Sequence, residues 1–248
     1  MTPAQRHRAT MQAKLAATQA ASSAGARAGG AATEYQLQRA RLGVDLRRLK
    51  EIQSIERKID LKRELLPVYE PWVDGVIAAD TGAADDIVTH IMIWRLDVGD
   101  YAGAMPLARY VLRHGLSLPE RFDRTAPTLI CEEIADAALK AFGQDRTFSA
   151  MLLDEVAELV ADEDIFDQVR AKLEKAQGLA AAEAASMTAP DADGPAGALR
   201  AAQERAITHL KRALELDPKA GVKKRLEELK RDARKADEGA GAAPQQET

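Results

Sequence analysis

The chain has 248 residues, of which 46% are hydrophobic and 4% aromatic, and its formal net charge is −4. This length and apolar content exclude a wholly disordered chain, and few aromatics among abundant Ala, Leu, Glu, Arg and Lys predict an all-α fold without a sheet. The single cysteine, Cys131, excludes an internal disulfide or a thiolate zinc cluster, which fits a reducing cytosol.

Charge is sorted along the chain. Residues 1–63 hold 13 Lys/Arg against 5 Asp/Glu, a net charge of +8, whereas residues 64–168 hold 7 against 21, a net charge of −14. This division predicts that the basic N-terminal segment binds a polyanion and that the acidic body binds a different partner.

Residues 1–32 are expected to be a flexible basic arm and linker. Residues 3–21 can form an Ala-rich helix, but its apolar face consists mostly of methyl groups and buries little surface. We therefore expect this helix to be mobile until it binds. Residues 22–30 are rich in Ala, Gly and Ser and predict a tether.

Residues 33–67 predict one long basic amphipathic helix, with Thr33 as its N-cap and its end near Pro67. Its apolar stripe has nearly the spacing of a coiled-coil seam, so it either packs on its own domain or joins subunits. The residues predicted for oligomerisation are Leu42, Leu46, Leu49, Ile52 and Ile59. The other faces carry the predicted DNA-binding residues Arg39, Arg41, Arg47, Arg48, Lys50, Arg57, Lys58, Lys62 and Arg63.

Residues 68–187 predict a compact acidic helical core. Turn signals separate helices at residues 72–79, 83–97, 101–114, 127–142, 147–161 and 166–183. A three-residue turn should make the second and third of these antiparallel neighbours. Their facing core residues are predicted to be Ile87, Val88, Ile91 and Trp94 against Leu107, Tyr110 and Val111.

Residues 188–238 predict a C-terminal helical hairpin with helices at residues 198–216 and 221–235. Residues 239–248 predict a disordered tail. Gly194, Ala206, Leu210, Ala213 and Pro218 have the spacing of one tetratricopeptide repeat, in which small residues let two helices pack closely. A single partial repeat cannot stack as a solenoid. The hairpin is either a docking element or structural padding, and padding is favoured.

The sequence contains few motifs typical of a catalytic site. There is no phosphate-binding Gly-x-x-x-x-Gly-Lys-Ser/Thr loop, and the four histidines form no metal-binding pair. The acidic groups that could hold Mg²⁺ are Asp85-Asp86, Asp97-Asp100 and Asp162-Glu163-Asp164. Capping is favoured instead, because Asp85-Asp86 lies where acids stabilise a helix N-terminus and Asp100 can cap the next helix. We expect Cys131 to be a small buried residue and the chain to need no cofactor or metal. Neither a signal peptide nor a membrane span is predicted.

The basic residues give a better signal, because Lys and Arg clusters attract phosphates whatever the base sequence. The alternative is a solvated helix face. A helix-turn-helix cannot be placed, since about ten residues of Ala, Gly and Ser separate the first two predicted helices.

Several ordered motifs resemble one family. They are Lys62-Arg63-Glu64-Leu65-Leu66-Pro67, Pro71-Trp72-Val73, Asp85-Asp86-Ile87, Trp94-Arg95-Leu96-Asp97-Val98-Gly99-Asp100 and Ala108-Arg109-Tyr110, with shorter matches as far as Ala220-Gly221-Val222-Lys223-Lys224. Over residues 33–232 the chain resembles the small terminase subunit of temperate contractile-tailed phages with cohesive ends, the M-protein type.

The resemblance implies a DNA-packaging factor in the host bacterial cytoplasm. Such subunits form homo-oligomers, often rings, bind double-stranded phage DNA near the cohesive-end (cos) site, and present it to a large subunit that carries the ATPase and nuclease. The family is sometimes labelled an endonuclease subunit, which fits the holoenzyme. The main expectation is therefore a non-catalytic DNA-recognition subunit.

Two rival functions follow from the residues themselves. One is a metal-dependent endonuclease that cuts cos DNA with Asp85, Asp86, Asp97 and Asp100. The other is a protein scaffold whose basic helix meets an acidic partner.

Overall fold

A computed structural model describes residues 1–22, 30–187 and 197–241, and within these ranges the backbone forms ten α-helices and no strand. The predicted all-α class is confirmed. No helix in this part of the chain is long and apolar enough to cross a membrane. The helices are α1 (Pro3–Ser22), α2 (Gly30–Glu51), α3 (Ile55–Ala79), α4 (Asp86–Asp97), α5 (Tyr101–Arg113), α6 (Ala126–Phe142), α7 (Ala150–Leu159), α8 (Asp167–Met187), α9 (Ala198–Leu216) and α10 (Lys223–Gly241).

The chain forms two compact units, Met1–Ala126 and Pro127–Thr248. Their boundary falls inside the acidic core expected at residues 68–187, so the helices of that core belong to two units. In the first unit, α1, α2 and α4 pack on α3, and α4 packs on α5. The predicted core pair is confirmed, because all seven of its facing side chains are buried.

Helix α1 is docked on α3, which corrects the expectation of a mobile N-terminal helix. Ala13, Ala16 and Ala17 are buried, and a Cβ atom added at Gly75 of α3 would lie 2.5 Å from the Cβ of Ala13. The hydroxyl of Thr81 also donates to the carbonyl of Ala17 at 3.2 Å. Methyl groups suffice here because a glycine lets the two backbones approach closely. The predicted linker residues 23–29 lie outside the described residues.

The single helix expected at residues 33–67 is two helices. Residues 52–54 break it, and Ser54 caps α3 by accepting a hydrogen bond from the backbone N–H of Arg57 at 3.3 Å. Thr33 lies inside α2 rather than at its N-cap. Helix α3 also continues through Pro67 to Ala79. Its buried side chains outweigh the loss of helix hydrogen bonds at proline; they are Leu65, Leu66, Tyr69, Trp72, Val73 and Val76.

In the second unit, α8 and α9 pack closely at Gly178, where an added Cβ would lie 2.6 Å from Cδ2 of Leu210. The small-residue spacing predicted for the C-terminal hairpin corresponds to buried positions, because Ala206, Leu210 and Ala213 are fully enclosed. Gly194 lies outside the described residues. So do residues 242–248 of the predicted tail, whereas α10 extends through residues 239–241.

Candidate nucleic-acid interface

Helices α2 and α3 form a hairpin with its tip at residues 52–54. The indole ring of Trp72 stacks on Tyr35 with ring centroids 6.0 Å apart, and the hydroxyl of Tyr69 donates to Asp45 at 2.8 Å. These contacts join residues on either side of the break and tie α2 to the middle of α3. Residues 52–54 connect the last turn of α2 to the first turn of α3, so basic residues of both helices lie near the tip.

The predicted DNA-binding residues fall into three groups. Arg41, Arg47, Lys50 and Arg57 are exposed, Lys58 is half-buried, and none of them forms an ion pair within the described ranges. Arg41 also lies 6.0 Å from the centroid of the Tyr69 ring. Three more are exposed but paired: Arg39 with Asp86 at 3.1 Å, Arg48 with Asp45 at 2.9 Å, and Arg63 with Asp60 at 2.9 Å.

Lys62 differs from the others. Its side chain is only 15% exposed, and its ammonium group is bound to the carboxylate of Asp97. This pair ties α3 to the end of α4 within the first unit. Lys62 is therefore occupied by a contact inside the protein and does not belong to the basic surface.

The apolar residues predicted for oligomerisation differ in their exposure. Leu42 and Leu49 are 2% and 7% exposed, so they pack inside the first unit. Leu46, Ile52 and Ile59 are half-buried. The strongly exposed apolar side chains of this region are others, namely Leu37 (60%), Val44 (48%) and Ile55 (74%). For Leu42 and Leu49, packing on their own domain is the correct alternative.

Two residues that fix α2 on α3 were missed by the sequence analysis. Asp45 is buried on the apolar face of α2 and accepts the hydrogen bond from Tyr69 described above. Burial, together with the bond to Asp45, raises the pKa of Tyr69, so the phenol stays a hydrogen-bond donor. An aspartate within a leucine stripe is the signal that could have revealed this contact.

The aspartates of the endonuclease hypothesis all have structural partners. Asp85 is buried at the N-cap of α4, where it accepts bonds from the backbone N–H groups of Ile87 and Val88 and from the Trp72 indole at 2.8 Å. Asp100 caps α5 through the N–H of Gly103 at 3.0 Å and binds Arg95. Asp86 and Asp97 pair with Arg39 and Lys62, as described above. The capping roles predicted for Asp85 and Asp100 are confirmed.

The other candidate reactive groups have no catalytic setting. No group of three or more His, Cys, Asp or Glu residues that could hold a metal ion occurs in the parts of the chain that are described. Cys131 is fully buried, as predicted, and burial raises the pKa of its thiol to about 12, so it is not a thiolate nucleophile near neutral pH. The exposed, unpaired cations at the hairpin tip can attract an anion.

Comparisons with known proteins agree with the resemblance. The family model described as the phage small terminase subunit matches residues 39–168. The chain is 42% identical over 230 residues to "Terminase, endonuclease subunit" of Escherichia phage P2, covering 93% of this chain and 85% of that protein. It is 22% identical over 197 residues to "Probable terminase, endonuclease subunit" of Haemophilus phage HP1 (strain HP1c1), covering 78% of this chain and 68% of that protein. No solved structure matches the chain.

Proposed function

The chain belongs to the phage small terminase subunit family, and on that premise we propose that it is the DNA-recognition subunit of a genome-packaging terminase. It binds double-stranded phage DNA near the cos site in the host cytoplasm. It then recruits and regulates a large subunit that carries the ATPase and nuclease during packaging into procapsids. It needs no metal or cofactor of its own.

The observation that carries this proposal is the hairpin tip. Residues 47–58 hold five Lys/Arg and two Asp/Glu, and Arg47, Lys50 and Arg57 are exposed cations that pair with no acid in the described ranges. Because both helices are anchored by Tyr69 and Asp45, these cations are held on a rigid element. Unpaired cations on a rigid helix can neutralise phosphates without first breaking an ion pair and with little loss of backbone entropy.

The test compares two double variants of the full chain in a DNA-binding assay by fluorescence anisotropy at several salt concentrations. Lys50→Ala/Arg57→Ala removes one cation from each helix of the tip, and Lys140→Ala/Arg146→Ala removes two exposed cations from the second unit. Each lost phosphate contact lowers the slope of log K against log salt by about 0.9, so the tip variant should lose about 1.8 units of slope.

That slope corresponds to about 60-fold weaker binding at 0.1 M salt, since the electrostatic part of the affinity scales as salt concentration to the power of about −1.8. The control variant should bind like the wild type. Equal slopes for the wild type and the tip variant would refute the proposed interface.

Self-association is the second part of the proposal. Since Leu42 and Leu49 are buried, the exposed Leu37 and Val44 on α2 are better candidates for contact with a second copy. Native mass spectrometry should show smaller assemblies for Leu37→Ser/Val44→Ser than for the wild type. Met151→Ser, which changes an exposed apolar residue of the second unit, is the control. An unchanged assembly of the α2 variant would contradict this assignment.

An intrinsic endonuclease is the alternative function, and the names of both relatives favour it because they contain the words "endonuclease subunit". Against it, the four candidate aspartates serve as caps or ion-pair partners. The purified chain, incubated with cos DNA and Mg²⁺ without a large subunit, should leave the DNA intact. Cleavage that disappears in Asp97→Asn would establish the alternative.

A further inference from the structure

The last two helices of the second unit carry positive charge, although the rest of that unit is acidic. Residues 127–187 hold 5 Lys/Arg against 13 Asp/Glu, whereas residues 197–235 hold 12 against 6. The near-neutral charge of the C-terminal third of the chain therefore hides a local excess of cations on α9 and α10.

Five of the six acids of this segment form ion pairs with its own cations. Glu204 binds Arg200, Glu215 binds Arg212, Glu227 binds Lys230, Glu228 binds Arg225, and Asp232 lies 3.9 Å from Arg231. The sixth acid, Asp217, accepts the backbone N–H of Lys219 at 2.8 Å. Arg205 binds Asp154 of α7. Among the described residues from 197 to 235, this leaves six exposed cations without an ion pair: Lys211, Lys219, Lys223, Lys224, Arg234 and Lys235.

Most of these cations lie on a helix that is firmly anchored. Val222, Leu226 and Leu229 are buried in one cluster with α8 and α9 residues such as Ala182 and Leu210. Lys175 of α8 also donates to the carbonyl of Ala220, just before α10, at 2.8 Å. The apolar face of α10 is thus fixed inward, and its charged face is fixed outward.

The outer face of α10 has room for an anion. Along it runs an open groove of about 500 Å³, lined by Lys224, Glu227, Glu228, Lys230, Arg231 and Arg234. The two acids of the groove already bind Arg225 and Lys230, so the cations set its charge. From Lys223 to Lys235 the helix rises about 18 Å, which is long enough to follow several phosphates of one DNA strand.

We propose that this face of α10, with Lys223, Lys224, Arg234 and Lys235, is a second phosphate-binding surface for double-stranded DNA, distinct from the hairpin tip. The inference rests on the proposed DNA-binding function. It makes each chain contact DNA through both of its units. The contact reads no bases, because lysine and arginine on a helix face supply only backbone affinity. It strengthens binding, because the second contact forms at a high effective concentration once the first is made.

Duplex DNA fits this surface better than an acidic protein does. Protein interfaces are centred on buried aromatic or aliphatic anchors, and among the described residues from 197 to 235 no large apolar side chain is strongly exposed. Phosphate contacts need cations alone.

The experiment measures DNA binding by the full-length chain against salt concentration. Lys223→Ala/Lys224→Ala/Arg234→Ala removes three unpaired cations, and Arg200→Ala/Arg205→Ala/Arg212→Ala removes three cations of α9 that are bound to acids outside the groove. The net charge changes equally in both. The first variant should lose about 2.7 units of salt slope, at about 0.9 per contact, and the second should lose less than about 1.

The possible results separate this inference from the proposed function. If the α10 variant keeps the wild-type slope while Lys50→Ala/Arg57→Ala loses affinity, the α10 surface is refuted and the hairpin tip stands. If neither variant changes DNA binding, both proposals fail. Loss of binding to polyglutamate with unchanged binding to DNA would also refute the α10 proposal, since the surface would then serve an acidic protein. Far-UV circular dichroism of each variant verifies that its helices are intact.

Discussion

Replacing Asp85 by alanine should destabilise the first unit substantially. This carboxylate is 8% exposed and joins two helices: it caps α4 through the N–H groups of Ile87 and Val88, and it accepts the indole N–H of Trp72 from α3. Loss of an N-cap costs about 1 kcal/mol. A buried donor left without a partner costs a further 1–3 kcal/mol or so. The expected loss in the free energy of unfolding is therefore about 2–4 kcal/mol.

Asp85→Asn separates the two contributions. The amide oxygen can still cap α4, but the amide NH₂ group cannot accept the indole N–H, so only the second contribution of about 1–3 kcal/mol should be lost. Trp72→Phe removes the donor. In an Asp85→Ala background, this change should therefore cost about 1–3 kcal/mol less than it does in the wild type.

Urea unfolding followed by tryptophan fluorescence measures these changes. The chain has two tryptophans, Trp72 and Trp94, and both lie in the first unit, so the signal reports on that unit alone. Asp86→Ala is the control, because Asp86 forms an exposed ion pair worth about 0–1 kcal/mol. If Asp85→Ala were no more destabilising than Asp86→Ala, the assigned capping and indole contacts would be wrong.

Three further predictions concern pH, packing and the buried lysine. Burial raises the pKa of the Asp85 carboxyl group, so the folded state binds a proton there more tightly than the unfolded chain does. As the pH falls from 7 to about 4, urea unfolding should show the wild type gaining stability relative to Asp85→Asn. A relative loss of stability would contradict this. Gly75→Ala should lower the melting temperature and expose α1 to trypsin. The control is Gly43→Ala, whose added Cβ contacts only Arg47 at 3.8 Å, and it should be neutral or stabilising by about 1 kcal/mol. Equal effects of the two variants would refute close docking of α1. Lys62→Ala should lower the free energy of unfolding in urea by about 1–3 kcal/mol, because it leaves Asp97 without its partner. It should not change the slope of log K against log salt for DNA binding. A reduced slope would place Lys62 in the DNA contact.

Several helices could be predicted closely because their boundaries are set by neighbouring residues. The prediction for α9 matches its observed bounds, Ala198–Leu216, and α5 differs by one residue at its end. Asp100 could be recognised as a cap since a capping side chain acts on N–H groups two or three residues away. These signals are local, and sequence contains them directly.

The break between α2 and α3 could not be predicted from the apolar repeat, because apolar residues continue at intervals of three or four through residues 52–54. Pro67 misled in the opposite direction, since a proline usually ends a helix. Helix α3 continues because residues on both sides of Pro67 are buried by α1, α2 and α4. The prediction of a mobile α1 failed for a related reason, because nothing in residues 3–21 reveals that Gly75 offers a close-packing surface.

By itself, the sequence determined the all-α class, most helices, the separation of basic and acidic segments, and the family. The tertiary structure decided which members of each pattern remain available: Leu42 and Leu49 are enclosed, Lys62 is bound to Asp97, and Arg47, Lys50 and Arg57 are left facing solvent at the hairpin tip. The physical reason is range. Helix formation and charge content depend on residues within a few positions of each other, whereas burial and ion pairing depend on partners that only folding brings together, such as Lys62 and Asp97, 35 residues apart.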